Sequence, residues 1–69
     1  MLSDKIHYVR QNKGLSQSEL ARRTGHAVST IHGIENGDNR NPSFRLVCDI
    51  ARELGIPLDE LYQDILNER

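Results

Sequence analysis

Three histidines, His7, His26 and His32, and a single cysteine, Cys48, are the side chains of this 69-residue chain best suited to metal or nucleophilic chemistry. Their spacing supports neither. Zinc sites draw Cys and His from short paired spacings, and these histidines match no such pattern and have no carboxylate cluster beside them. No nucleophile stands with a base, and no pair of carboxylates is set for acid–base work. A helical chain this short also has little room for a catalytic pocket. The expectation is a non-enzyme with no metal, no cofactor and no small-molecule ligand. Cys48 lies between Val47 and Ile50 in an apolar run, where a free cysteine serves as a small core or half-buried residue. A thiol sensor is the other reading. One cysteine makes no internal disulfide.

What remains is recognition chemistry, concentrated in LSQSELARRTGHAVSTIHGIENG from Leu15 to Gly37. Ser16 with Glu19 three residues on forms a capping box: the hydroxyl accepts one free helix N–H and the carboxylate reaches back to another. Leu15 before the cap and Leu20 after it form a hydrophobic staple. Gly25 is suited to the left-handed conformation that stops a helix. These signals predict a helix from about Gln17 to Thr24 and another from about Val28 to Glu35. Ile31 and Ile34, with Ala27, give the second helix an inner side. Val28, Ser29, His32 and Gly33 then lie on its open side. Two short helices joined by a glycine turn, the second polar on its open face, let a small domain push one helix into the major groove of DNA.

The flanking sequence supplies the support. No strand-like alternation, repeat or linker is visible, and the chain reads as all-helical and as a single domain over residues 1–69. Ser3 is a cap for a first helix with Leu2, Ile6 and Val9 on its buried side, ended by Gly14. A loop from Asn36 to Pro42 precedes a fourth helix capped by Ser43 and closed by Gly55. Its inner stripe is Phe44, Val47, Ile50, Ala51 and Leu54. A last helix, about residues 58–66, follows Pro57 and carries Leu58, Leu61, Tyr62, Ile65 and Leu66 at helical spacing. Leu58 and Leu61 suffice to close the core. Tyr62, Ile65 and Leu66 extend past it and are expected to hold a second copy of the chain.

The net charge is −1, but it is unevenly spread: residues 1–45 carry +3 and residues 46–69 carry −4. One end can face phosphate while the other is kept away from it. No apolar run is long enough to span a bilayer and no signal pattern opens the chain, so a cytoplasmic protein is the expectation.

The sequence resembles the Cro/repressor-type helix-turn-helix family, also called the Xre family. The residues carrying the resemblance are LSQ-x-EL-A at 15–21, Gly25, I-x-x-I-E-x-G at 31–37, NPS at 41–43 and I-A-x-x-L-G-I-P at 50–57. Ile6, Val9 and Arg10 fit it as well. The resemblance implies a compact five-helix, lambda-repressor-like fold and a transcriptional regulator that binds double-stranded DNA as a homodimer at an inverted-repeat operator. It further implies that Gln17 reaches a DNA phosphate and that Arg10 and Glu35 form a buried ion pair. Val28, Ser29, His32 and Gly33 match the family's base-reading positions. Asn36, Arg40, Asn41 and Arg45 are candidates for phosphate contact. The sequence departs from the family in having Ala27 where a capping Ser or Thr is common. It also lacks Gln, Arg or Asn on the open face of the reading helix, which shifts weight toward DNA shape. Small members include phage-type repressors, controllers of restriction-modification operons and antitoxins. A module that keeps the fold but binds another protein is the alternative.

Overall fold

Helix caps and glycines decide where this chain turns. The computed structural model describes residues 1–39 and 41–67. Among them are five α-helices and no strand: α1 Leu2–Asn12, α2 Gln17–Thr24, α3 Val28–Glu35, α4 Phe44–Leu54 and α5 Leu58–Asn67. The molecule measures 28 × 21 × 19 Å. Ser43 Oγ accepts from Leu46 N at 3.2 Å and starts α4. Gly55 closes it in the left-handed region, at φ 68°.

The core is aliphatic. Leu2 and Ile6 of α1, Leu20 and Ala21 of α2, Ile31 and Ile34 of α3, five residues of α4, and Leu61 of α5 form one buried cluster with Ile56. Burying each of the larger side chains is worth about 1.5–3 kcal/mol. Val9, Leu15 and Ile65 pack against the cluster from its edge.

Four expectations fail, each for a physical reason. Ser3 does not cap α1; Met1 holds that position and no side-chain bond is made there. Starting the helix at Leu2 brings Leu2 into register with Ile6, and burying a leucine outweighs a cap worth about 1 kcal/mol. Phe44 is not part of the inner stripe but 76 % exposed. The buried face of α4 runs through Leu46, Ile50 and Leu54, and Phe44 lies about a third of a turn from its centre. Leu58 is exposed and does not close the core; Ile56, beyond the glycine turn, is buried in its place. Ile65 is partly buried against the core, so the stripe expected to lie free along α5 is half engaged there.

Polar contacts tie α1 to α5. Lys5 Nζ lies 2.9 Å from Asp64 Oδ2 and 3.5 Å from Glu60 Oε2. The approach to Asp64 Oδ2 is ionic, without hydrogen-bond alignment at that oxygen. The paired carboxylates, Asp64 first, raise the Lys5 ammonium above its ordinary value.

Candidate nucleic-acid interface

The interface is built from the α2–turn–α3 unit, and its first fixed point is Ser16. Its Oγ accepts from Glu19 N at 3.0 Å, and Glu19 Oε1 accepts from Ser16 N at 3.2 Å. The Ser16 backbone N–H first, and the Ser16 hydroxyl after it, hold the Glu19 carboxyl below its ordinary value. The second fixed point is Gly25, left-handed at φ 74°, after which His26 N donates to Ala21 O at 3.0 Å. Only a residue without Cβ takes this turn at no steric cost. Thr24 Oγ1 donates to Leu20 O at 2.8 Å within the last turn of α2.

Ala27 then precedes α3 in extended conformation, at ψ 148°, with no side-chain cap. It is exposed rather than inward-facing. A helical projection fails for it because an N-cap residue lies outside the helical phase. Ile31 and Ile34 are buried, while Val28, Ser29 and His32 are exposed and Gly33 is half-buried. The outer face of α3 therefore presents one apolar side chain, one hydroxyl and one imidazole.

A polar cluster fixes the far end of α3. Arg10 Nε donates to Glu35 Oε2 at 2.6 Å and Nη2 to Glu35 Oε1 at 2.9 Å, a two-pronged pair. The side chains are 9 % and 3 % exposed. Arg10 Nη1 also donates to Leu15 O at 2.7 Å, so one guanidinium secures both α3 and the α1–α2 link. Burial opposes ionisation of Glu35, but hydrogen bonds from Arg10, His7 and Gln17 outweigh it and hold the carboxyl below its ordinary value. The bonds to Glu35, against the cost of burial, raise the Arg10 guanidinium above its ordinary value.

His7 joins this cluster and was missed in the sequence. Its Nδ1 lies 2.9 Å from Glu35 Oε1 and 3.3 Å from Arg10 Nη2. A carboxylate only accepts, so Nδ1 carries the proton and the Arg10 contact is not a hydrogen bond. The available signal was its spacing three residues before Arg10, on the same side of α1.

The candidate phosphate-binding residues divide. Gln17 turns inward, its Nε2 donating to Glu35 Oε1 at 3.2 Å. Asn36 Oδ1 accepts from Asp38 N at 3.0 Å, and Asn41 N donates to Asn39 Oδ1 at 3.3 Å; both residues are exposed. The Arg45 side chain is 86 % exposed, 3.6 Å from Asp49. His26 Nε2 meets the same carboxylate at 2.9 Å, clasping the turn to α4. Arg40 lies outside the described residues. Across the molecule, Tyr62 and Ile65 line an apolar cleft of about 290 Å³ with Phe44, Val47 and Leu58. No group of three or more metal-binding side chains occurs among the described residues, nor any helix long and apolar enough to cross a membrane.

Residues 6–61 match the family model described as helix-turn-helix. The chain is 31 % identical over 61 residues to an uncharacterized HTH-type transcriptional regulator of Methanocaldococcus jannaschii, covering 88 % of this chain and 91 % of that one. It is 33 % identical over 69 residues to the HTH-type transcriptional regulator SinR of Bacillus licheniformis, which covers 100 % of this chain and 59 % of SinR. A regulator of the same type from Coxiella burnetii is 35 % identical over 60 residues, 87 % of this chain. The chain spans only 28 % of that longer protein. The matched segment runs from Ile6 of α1 to Leu61 of α5 and takes in at least part of every helix. On that match, and on the capped α2–turn–α3 geometry within it, the chain belongs to the Xre-type helix-turn-helix family, whose members are DNA-binding regulators of transcription rather than enzymes.

Proposed function

We propose that this protein is a sequence-specific transcriptional regulator, cytoplasmic, that binds an inverted-repeat operator as a homodimer. The observation that carries the reading is the outer face of α3: Val28, Ser29 and His32 stand exposed on a helix whose other side is locked to the core by Ile31, Ile34 and Glu35. A rigid, outward helix of this kind fits the major groove. Val28 meets a thymine methyl, Ser29 and His32 meet base edges, and Gly33 allows close backbone approach. Arg45, Asn36, Asn41 and Arg40 hold phosphates. Gln17 serves there through the second N–H of its amide and through the positive end of α2.

The single domain pairs through its last helix. Tyr62 and Leu66 are exposed beside the cleft that Ile65 lines, and a second copy covering them gives a two-fold dimer. Two reading helices then require half-sites roughly one helical turn apart, about 10 bp. The same exposed cleft favours a second reading, a module that docks another protein.

A mobility shift against duplex from the chain's own promoter region, at several salt concentrations, separates the two. Tight, sequence-dependent binding that weakens as salt rises supports the regulator. Arg45→Ala should then weaken binding to all sequences alike and lower the salt slope by about one. No binding at any salt, with a protein co-purifying on the cleft, supports the module.

A further inference from the structure

Gly33 leaves a gap in the outer face of α3, and the fold does not require it. Glycine is the least favourable residue in a helix interior after proline. Its φ here is not positive, so its conformational freedom is unused. A Cβ at this position would meet only Asn39 Cβ, at 4.0 Å, an ordinary contact. A longer side chain would enter the space that Asn39 takes.

Asn39 is seated on this gap. Its N–H donates to Gly33 O at 3.0 Å, one of the carbonyls a helix leaves open at its C-terminal end. Its Oδ1 accepts a long bond from Asn41 N, 3.3 Å. No hydrogen bond among the described residues engages its Nδ2. The α3–α4 loop thus folds back and sets Asn39, by its backbone N–H and Cβ, against the glycine on the reading helix. The helix itself carries no side chain there that pairs two-pronged with a base: valine, serine, histidine and glycine lack that geometry. Asparagine has it, accepting from adenine N6–H and donating to N7.

We propose that Asn39 is a specificity-determining residue, a base reader delivered from the loop into the space vacated at Gly33, and that it recognises adenine from the major groove. The proposal rests on the DNA-binding reading above. The Oδ1 has two lone pairs, so it keeps the bond to Asn41 N while accepting from the base.

The test is selection from a random duplex library with wild type, Asn39→Ala and Asn39→Asp, with melting curves and salt titrations for each. Wild type should select a motif with an A·T pair at which Asn39→Ala shows no preference. On the wild-type site Asn39→Ala should lose about five- to 150-fold in affinity with an unchanged salt slope. Asn39→Asp keeps the acceptor for Asn41 N and so the loop, but removes the donor. It should exchange adenine for cytosine, whose N4–H₂ a carboxylate accepts. Identical motifs from all three proteins would overturn the proposal. So would a uniform loss in both variants with a salt slope lower by about one, which marks a phosphate contact. Wild type that binds no duplex overturns the DNA-binding reading itself, and this inference with it.

Discussion

The two ends of the molecule are stabilised in opposite ways. At the α1–α2–α3 junction, a buried Arg10–Glu35 pair is completed by His7 and Gln17 from its more exposed edge. At the α4–α5 end, Phe44, Leu58, Tyr62 and Leu66 leave apolar surface exposed. Directional bonds specify one geometry, and the first end supports a helix that must be held at a fixed angle. Apolar surface is non-directional and accepts whatever covers it. A small domain with limited core of its own has reason to keep such a surface for a partner.

The comparison breaks most sharply at Glu35. Glu35→Ala strands the buried Arg10 guanidinium, which costs about 3–5 kcal/mol, a large share of a stability of roughly 5–15 kcal/mol. The expected result is an unfolded protein or a strongly lowered Tm by circular dichroism; a wild-type melting curve would show the cluster to be wet. At the opposite end, Tyr62→Asp with Leu66→Asp should abolish self-association in light scattering. It should also remove the dependence of Tm on protein concentration, while the folded monomer persists. These two residues serve the test better than Ile65, whose replacement would also disturb the core.

Acid should divide the two ends. The folded Glu35 carboxyl titrates below its ordinary value of 4.5. Its stabilisation is therefore complete above that value and is lost as pH falls through the lower folded value. Tm measured from neutral pH down to about 3 should fall along that limb in wild type, and the Tyr62→Asp, Leu66→Asp protein should keep the same limb. An acid limb absent from wild type would mean that the folded Glu35 carboxyl titrates no lower than in the unfolded chain. The smallest effect belongs to Ser16→Ala, which removes one cap bond and should cost about 1 kcal/mol in urea unfolding. A loss as large as that of Glu35→Ala would make the cap, rather than the cluster, the main anchor of α2.

Much of this was legible in the residues because local signals and tertiary demands agreed. Ser16, Glu19 and Gly25 bound α2 at Gln17 and Thr24, and Ser43 and Gly55 bound α4, because each is a local hydrogen-bond or φ requirement. What was not legible depends on neighbours. The outward turn of Phe44 follows from which side of α4 is covered by α1, α2 and α5, and the centre of that side is not visible in α4 alone. Ile56 stands in a turn, where helical periodicity carries no information. Gln17 bends toward Glu35 and His7 joins the same carboxylate only because three helices converge there. Asn39 looked like ordinary loop, and its seat on Gly33 exists only once the loop has folded back.

One contact set has a mechanical reading. Lys5 ties α1 to Asp64 and Glu60 of α5, and Arg10, about 7.5 Å further along the same helix axis, ties it to the end of α3. α1 is a strut between the helix proposed to read DNA and the helix proposed to pair with a second copy. A strut pinned at both ends does not act as a hinge. In the proposed dimer the separation of the two reading helices is then a fixed length, and the protein acts as a ruler. An operator with the wrong spacing must itself twist or bend to fit, at a cost of order 1–6 kcal/mol for a smooth bend, and discrimination between operators becomes in part a measurement of distance.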